Sequence, residues 1–325
     1  MKPSATSNKY FSEFISIGVI SLLSVQGELS LRKILNGVVL IGLLCLPTCM
    51  RLISTNFEEA NYGGLMGLSY GMIRFFSAAL ILFFLRGNKK YIQVFLLLYL
   101  STYLYLFFNF ASRGAILSIL ILAFILAFIK HQKHRSFLVL AGVLAILLVS
   151  NFYPILYFLS DFFHSMDISI FFIDKLLKLN EMQNIDNGRF DIINRGIKLA
   201  MESPIYGQGI AAFENKYMSG WVHNFFVELF IEGGLLLLLP FVFIVLKSLR
   251  LIFIQDINPN EKLLLALFFC CGLIELLFSN YLWRSPLFWQ MIGYTLYLSR
   301  RNAKRVPSKY RKNYTIATSL NHSIS

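Results

Sequence analysis

One histidine of this chain stands where its side chain could take part in chemistry. His223 comes directly before an apolar run that starts at Phe225, whereas His131 and His134 lie in a basic segment. A neutral imidazole accepts a proton from a hydroxyl group near pH 7, which is general-base catalysis. The residues alone leave two interpretations open: His223 is a general base, or it is an interfacial histidine without a catalytic role.

Two arginines could supply a fixed positive charge. Arg113 comes just before the apolar run of residues 115–129, and Arg189 follows Gly188 in a polar segment. A guanidinium group binds phosphate oxygens through two parallel hydrogen bonds and stays charged even beside a membrane. Because a charge at the membrane edge is costly, Arg113 is expected to have an anionic partner. The alternative is a topology anchor whose charged head extends to the membrane surface.

The elements that must position these side chains are membrane helices. Of the 325 residues, 57% are hydrophobic and only 14% are charged, whereas soluble domains average about a quarter charged residues. Several apolar runs approach or reach the roughly 20 residues that cross a bilayer. No alternating barrel pattern occurs, so helices are the remaining way to satisfy the backbone in lipid. The sequence therefore predicts an all-α, polytopic transmembrane helical bundle.

About nine spans are predicted, within a single integral membrane domain over residues 1–325. They are residues 11–26, 34–49, 64–85, 91–110, 115–129, 137–159, 225–247, 262–278 and 287–298. The first is the weakest, and because no cleavable signal is recognisable it is expected to remain in the protein. The four cysteines lie in apolar spans without metal-ligand spacing, so they are expected only to pack.

Basic residues occur at every second loop, which predicts the orientation of the spans. The basic stretches are residues 32–33, 86–90, 130–135, 247–262 and 300–312. Cytoplasmic loops carry the excess of Lys and Arg, so these loops are predicted on the cytoplasmic side of the cell membrane, together with a disordered basic tail over residues 299–325. Residues 160–220 then form a large extracytoplasmic loop. The net charge of +13 is spread along these loops, which favours anionic lipids of the bilayer and argues against nucleic acid as a partner.

The large loop is predicted to contain short amphipathic helices. Apolar residues at helical spacing predict one helix that ends before Pro204, with its apolar side on the bundle. These residues are Phe190, Ile193, Ile197 and Ala200. A second helix, over residues 162–179, is predicted at the bilayer interface. Residues 203–210 form a turn rich in Pro and Gly that could present backbone amides to an anion.

Four motifs together resemble one protein family. They are Ala111-Ser112-Arg113-Gly114-Ala115, Asn187-Gly188-Arg189-Phe190, Pro204-Ile205-Tyr206-Gly207-Gln208-Gly209 and His223-Asn224-Phe225-Phe226-Val227-Glu228, the last followed by Glu232-Gly233. Their order, spacing and predicted topology are similar to those of bacterial O-antigen ligases and polymerases. Any one of these motifs would be common by chance, so the resemblance depends on their conjunction.

The resemblance implies a membrane glycosyltransferase that uses a polyprenyl-diphosphate-linked oligosaccharide, without a nucleotide sugar, a metal ion or another cofactor. It implies that Arg113 and Arg189 contact the diphosphate and that His223 activates the acceptor hydroxyl. A polymerase that builds a surface polysaccharide such as O-antigen, capsule or exopolysaccharide is preferred. The alternative is a ligase that transfers the glycan to a lipid or a protein. A flippase and a chain-length regulator are candidate protein partners.

Two glutamates and a further arginine are candidates for positioning the acceptor. Glu228 and Glu232 are four residues apart and so share a helix face, which is expected to point into the bundle. The alternative for both glutamates is structural pairing with Arg74, Arg113 or Arg284. Arg284 could equally be an interfacial anchor beside Trp283.

A transporter for a lipid-linked saccharide is the main alternative from another functional class. It would use the same arginines to bind diphosphate but would make no bond. No repeated half with matching broken helices is evident, which weakens this interpretation. A Walker loop, a dinucleotide fingerprint and an Asp-x-Asp motif are also absent from the sequence, so nucleotide-driven chemistry is not expected.

Overall fold

A computed structural model describes residues 5–54, 62–85, 89–110, 113–130, 151–166, 171–181, 188–217, 222–278 and 281–305. These residues form helices and turns, and no strand occurs among them. The helices are α1 (Ala5–Glu13), α2 (Ile20–Ser24), α3 (Leu31–Ser54), α4 (Tyr62–Phe84), α5 (Lys90–Phe110), α6 (Arg113–Lys130), α7 (Phe152–His164), α8 (Phe171–Glu181), α9 (Arg189–Met201), α10 (Ala212–Tyr217), α11 (Phe225–Phe253), α12 (Pro259–Phe268), α13 (Ile274–Phe278) and α14 (Pro286–Arg305). The π-helical turns Phe14–Val19 and Phe269–Leu273 join α1 to α2 and α12 to α13, and a 3₁₀ turn, Leu282–Arg284, precedes α14. The prediction of an all-helical protein is confirmed over these residues.

Four of the described helices are long and apolar enough to cross a membrane. They are α3, α4, α5 and α11, with the apolar stretches Leu31–Arg51, Gly67–Phe84, Lys90–Phe107 and Phe225–Phe253. Helix α6 is apolar but shorter. Helices also cover the predicted spans at residues 11–26, 262–278 and 287–298, but π turns interrupt the first two, and the third lies in a helix with a polar C-terminal part. The predicted count of about nine spans therefore stays a prediction.

The segment from α12 through the π turn to α13 lies at the centre of the bundle. Its residues from Lys262 to Leu276 are buried, and it contacts α3, α4, α6, α11 and α14. A helix that is apolar on all sides is expected in such a position. At Gly272 a side chain would come within 2.6 Å of the backbone nitrogen of Phe288. Glycine is required there because α14 begins directly against the π turn.

The two ends of the bundle differ in the charged residues that they bring together. At one end Arg32, Glu261 and Arg301 line a cavity between the start of α3, the start of α12 and the end of α14. At the other end of α14, Arg284 pairs with Glu13 of α1. Because successive helices of such a bundle run in opposite directions, every second loop lies at the same end. The predicted orientation of the basic loops stays a prediction.

The predicted disordered tail begins too early. Helix α14 continues to Arg305, seven residues beyond the predicted end of the last span at Leu298. The Ser299 hydroxyl donates to the carbonyl oxygen of Thr295, and Arg301 forms a salt bridge with Glu261. These contacts hold polar residues in the helix that hydropathy alone would assign to a tail. Residues 306–325 lie outside the described residues.

The boundaries within the predicted large loop are also different. Helix α7 runs on to His164, so the first residues assigned to the loop are helical. The helix predicted over residues 162–179 is not continuous, because α7 ends at His164 and α8 begins at Phe171. Leu156 of α7 and Leu176 of α8 pack in one small apolar cluster. Packing between two helices, which periodicity does not detect, sets these ends.

Helix α9 confirms the predicted helix, but only part of the predicted face, Ile193 and Ala200, packs on the bundle. Gly196, Leu199 and Ala200 are buried, whereas Phe190 is 67% exposed and Ile197 is 41% exposed. At Gly196 a side chain would approach side chains of α11 at 3.0 Å. The small residues therefore decide which face packs, because they let α9 lie close to α11.

Candidate functional site

Helix α11 is broken near its N-terminal end, and a turn from the preceding segment fills the break. Gly234 has φ 60° and ψ −156°, which is not helical. The amides of Leu235 and Leu236 donate to the carbonyl oxygens of Pro204 (2.9 Å) and Ile205 (3.3 Å). Buried backbone groups need partners, so the turn replaces hydrogen bonds that a continuous helix would make.

The same turn also donates hydrogen bonds to α11. The amides of Gln208 and Gly209 donate to the carbonyl oxygens of Ile231 (2.6 Å) and Glu232 (2.9 Å). The Gly207 amide donates to a carbonyl of its own segment, at 2.8 Å. These amides are thus used inside the protein. The expectation that the turn presents them to an anion is wrong for these three positions.

Two glycines are needed where the turn meets the break. Gly207 has φ 72°, and a side chain there would lie 2.5 Å from the backbone carbon of Glu232. A side chain at Gly234 would clash with the carbonyl oxygen of Ile205. Both positions therefore combine a left-handed backbone with a close backbone approach, which only glycine tolerates. The Pro–Gly motif and the Glu-Gly-Gly motif thus form one structural unit.

His223 lies directly before the start of α11 and is held in an unusual conformation. Its φ of 57° is in the left-handed region, which is uncommon for residues other than glycine and costs energy. The neighbouring Val222 and Phe225 are buried. Asn224 caps the helix, because its side-chain oxygen accepts from the amides of Phe226 (3.1 Å) and Val227 (3.2 Å). The backbone that carries the imidazole is therefore held at the capped start of α11.

Arg189 is the first residue of α9 and lies near His223. Burial and the positive charge of Arg189 together lower the pKa of His223 to about 4. His223 is therefore neutral near pH 7, the state in which an imidazole can accept a proton. The residue before Arg189 is Gly188, which is the N-cap of α9 and has a left-handed backbone with φ 74°. A helix N-terminus and a guanidinium group both favour an anion at this position.

The structure describes the backbone of Arg113 but not its side chain. Arg113 begins α6, and the next residue, Gly114, is buried. A side chain at Gly114 would clash with the hydroxyl of Tyr70 and approach Phe278 at 2.9 Å. Gly114 thus lets the start of α6 lie close to α4 and α13. The convergence of Arg113 with Arg189 and His223 stays a prediction.

Glu232 is a buried carboxylate with several hydrogen-bond donors around it. Its side chain is only 6% exposed. It accepts from the hydroxyl of Tyr281 (2.5 Å), the indole nitrogen of Trp283 (2.9 Å) and the amide of Ala211 (2.9 Å). A carboxylate with three donors is satisfied inside the protein. Glu232 therefore joins α11 to the segment before α14, and sequence reasoning missed both aromatic donors.

Two of the three arginines considered as partners of the two glutamates have other partners. Arg74 lies 3.6 Å from Glu275. Arg284 donates two hydrogen bonds to Glu13, at 2.6 and 2.7 Å. The expected pairing of Glu232 with Arg74 or Arg284 is wrong. Sequence spacing could not reveal these pairs, because each joins distant parts of the chain.

Glu228 lies one helical turn before Glu232 and has different surroundings. It is 4% exposed, and within the described part of the chain its Oε1 atom has no hydrogen-bond partner. It lines a cavity of about 10 Å³ together with Glu214 and Glu232. Such a volume is about what one water molecule requires. Glu228 is thus placed within the protein and points to this cavity, as the prediction of an inward face requires.

The N-terminal helix α1 covers this group of residues. The hydroxyl of Tyr10 donates to Glu214 at 3.3 Å, and its ring lies 3.9 Å from the ring of Tyr281. Burial raises the pKa of Tyr10 to about 12, so its hydroxyl keeps the proton that it donates. Helix α1, which begins before the predicted first span of residues 11–26, is therefore part of the site's framework. The aromatic residues of α1 were the only signal in the sequence.

Comparison with known proteins supports the resemblance that the motifs carry. Residues 96–242 match the family model described as O-Antigen ligase, so this part of the chain is similar to that family. The match includes Arg113, Arg189, His223, Glu228 and Glu232. No curated protein and no solved structure matches the chain. Within the described residues, no group of three or more His, Cys, Asp or Glu side chains could hold a metal ion.

Proposed function

We propose that this integral membrane protein polymerises polyprenyl-diphosphate-linked oligosaccharide repeat units into a surface polysaccharide. The family match supports an O-antigen ligase or polymerase type of membrane function. The proximity of Arg189 and His223 is the observation that carries the proposal. It combines an anion-binding group with a neutral imidazole at the N-terminal ends of two helices.

The reaction requires one bond to form and one to break. The hydroxyl oxygen of the acceptor sugar attacks the anomeric carbon, and the bond from that carbon to the diphosphate breaks. Arg189 and Arg113 bind the negative charge that develops on the leaving polyprenyl diphosphate. The hydroxyl proton passes to His223. The products are a longer lipid-linked glycan and the free lipid diphosphate.

The substrate itself makes His223 a better base. The positive charge of Arg189 contributes to the low pKa of His223 in the protein alone. A diphosphate bound at Arg189 would offset that charge and favour the protonated imidazole, which raises the pKa of His223 toward its usual value. His223 would thus become proton-accepting when the donor is in place. If departure of the diphosphate leads the reaction, His223 instead orients the acceptor hydroxyl.

The direct test supplies lipid-linked repeat units to the purified protein and measures glycan length. A polymerase yields longer lipid-linked chains, and a His223→Ala variant forms them much more slowly. A ligase yields transfer to an added lipid or protein acceptor but no longer chains. A transporter leaves the length unchanged in both proteins, and that result would reject transferase activity.

Variants in cells separate catalysis from folding. Arg113→Lys and Arg189→Lys keep a positive charge but lose the planar group that binds two oxygens. We expect shorter or absent polymer with each variant at normal protein abundance. Loss of the protein itself would assign a structural role to the arginine concerned. The site is proposed to face the extracytoplasmic side of the cell membrane, where a flippase delivers the substrate.

A further inference from the structure

Helix α9 has three sides with different properties. The side that packs on α11 consists of small or apolar buried residues, which are Gly196, Leu199 and Ala200. A second side is polar and exposed, and its residues are Asp191, Arg195 and Lys198. Ile197 and Met201 are one turn apart on a third side, where both are exposed. Successive residues of a helix are rotated by about 100°, so the three sides are centred about a third of a turn apart.

The exposed apolar side of α9 continues into the turn that fills the break of α11. Ile205 and Tyr206 of this turn are exposed, and 75% of the surface of Tyr206 is accessible. Together with Ile197 and Met201 they form an apolar ridge. Large apolar side chains that are exposed along one side of a polar segment indicate contact with another molecule or with a membrane.

A backbone hydrogen bond joins the apolar ridge to the lipid-facing side of α11. The amide of Leu236 donates to the carbonyl oxygen of Ile205 at 3.3 Å. Leu236 is 61% exposed, and a row of exposed apolar residues continues from it along one side of α11, with Leu239, Phe243 and Leu246. Because α11 is long and apolar enough to cross a membrane, this row is expected to face lipid. The apolar ridge therefore begins where a lipid-covered surface ends.

The length of α11 places this junction near one boundary of the hydrocarbon core. The helix has 29 residues and is thus about 43 Å long, whereas the core is about 30 Å thick. Glu228 and Glu232 precede the break at Gly234, and no residue between Gly234 and Lys247 is charged. The part of α11 from Gly234 onward is about 30 Å long, which matches the core. The break therefore lies near the membrane surface, and both glutamates lie outside the core.

We propose that the bilayer binds α9, with the apolar ridge inserted among the acyl chains of the leaflet on the side of the candidate site. The three sides of α9 then have three matching surroundings, since one side packs on α11, one faces water and one faces lipid. Helices with an apolar side and a charged side lie in the interface, with the apolar side about 5 to 10 Å into the boundary of head groups and acyl chains. The ridge carries no charge, so the interaction requires acyl chains rather than a particular head group.

The test measures the depth of spin labels on the purified full chain in vesicles of dioleoylphosphatidylcholine. In a variant whose native cysteines are all replaced by alanine, single labels are attached through Met201→Cys, Lys198→Cys or Leu239→Cys. Molecular oxygen is enriched among acyl chains and a nickel chelate stays in water, so the ratio of their collision rates with the label reports its depth. We expect the label at Met201→Cys to prefer oxygen as the label at Leu239→Cys does. Its ratio should be at least about threefold above that at Lys198→Cys, on the polar side of the same helix.

Two results would overturn the proposal. A label at Met201→Cys that the nickel chelate reaches as readily as the label at Lys198→Cys would show that the ridge faces water. A label at Met201→Cys that neither reagent reaches would show that protein, and not lipid, covers the ridge.

A charge placed on the ridge provides a second test with a matched control. Ile197→Glu adds a carboxylate to the ridge and should draw water to it, so the nickel chelate should reach the label at Met201→Cys about threefold more readily. Lys198→Glu adds the same carboxylate one residue later, on the polar side, and should leave that label unchanged. Both positions are exposed, so both variants should unfold at the wild-type temperature. An equal response to the two variants, or no response to Ile197→Glu, would contradict insertion. The measurement uses no glycan substrate, so its result is independent of the proposed function.

Discussion

Two regions near the N-terminal end of α11 differ in whether their charged groups have partners of opposite charge or hydrogen-bond donors nearby. In the first region Glu232 is surrounded by donors, and Arg284 and Glu13 form an ion pair with two hydrogen bonds. In the second region Arg189 lies near His223, and its positive charge opposes protonation of the imidazole. Charges that are paired inside the protein hold segments together. Arg189 and His223 do not stabilise each other, because the charge of Arg189 opposes a positive charge on His223. An anion bound from outside the protein would offset that charge, so the pair suits an anionic ligand.

The largest effect is expected at the break that joins both regions. Gly234→Ala would force a side chain into a left-handed backbone position and against the Ile205 carbonyl oxygen. We expect a loss of more than about 3 kcal/mol of stability, and little protein in the membrane. Gly188→Ala is the matched control, since Gly188 is also left-handed but has open space around it. It should cost about 1 to 2 kcal/mol. Thermal unfolding in detergent measures both, and equal losses would show that the break is not the constraint.

Loss of the imidazole should separate function from stability. His223→Ala is expected to reduce glycan elongation by roughly 10²- to 10⁴-fold, the usual contribution of general-base help. The unfolding temperature should change little, because alanine has the same left-handed backbone cost at this position as histidine. Single-turnover elongation with purified lipid-linked repeats provides the measurement. An activity within threefold of the wild type would remove His223 from the mechanism.

In the paired region, a substitution of Glu232 should lower the stability of the protein, in contrast to the substitution of His223. Glu232→Ala leaves the hydroxyl of Tyr281, the indole of Trp283 and the amide of Ala211 without their acceptor. Buried donors without partners cost about 1 to 3 kcal/mol each, so we expect at least 2 kcal/mol of destabilisation. Glu228→Gln, one turn earlier, should cost less because Oε1 of Glu228 has no hydrogen-bond partner within the described residues. A larger loss from Glu228→Gln than from Glu232→Ala would contradict the assignment of Glu232 as the structural carboxylate.

A titration of the His223 ring by NMR sharpens the description of the cationic region. Arg189 disfavours the protonated imidazole, so Arg189→Gln should raise the pKa of His223 above its wild-type value of about 4. Burial remains, so the pKa should stay below that of a free histidine. Addition of inorganic diphosphate to the wild-type protein should raise the pKa of His223 in the same direction. A pKa of His223 that is unchanged in Arg189→Gln would mean that burial alone sets it.

The smallest effect is expected from the surface ion pair of the paired region. The side chains of Glu13 and Arg284 are 20% and 39% exposed, so solvent screens their attraction. A double-mutant cycle with Glu13→Gln and Arg284→Gln should give a coupling energy of about 1 kcal/mol or less. A coupling well above 2 kcal/mol would show that α1 is held mainly by this pair rather than by the contacts of Tyr10 and Phe14 with aromatic rings.

Sequence reasoning predicted the class of fold and the long apolar helices for reasons of period and hydropathy. The spans at α3, α4, α5 and α11 coincide with predicted ones, because about 20 apolar residues in a row have few other uses. The predicted end of α14 was wrong, and the predicted face of α9 was only partly right. In both cases contacts with a distant segment, Glu261 for α14 and Val227 for α9, decide the outcome.

The sequence by itself determined the helical membrane class, the family motifs and which residue types could bind a diphosphate or accept a proton. These properties depend on composition and local spacing. Only the tertiary structure decided that Arg189 lies near His223, that the Pro–Gly turn completes the broken helix, and that Glu232 serves Tyr281 and Trp283. Each of these contacts joins segments whose separation along the chain carries no information about their distance in space.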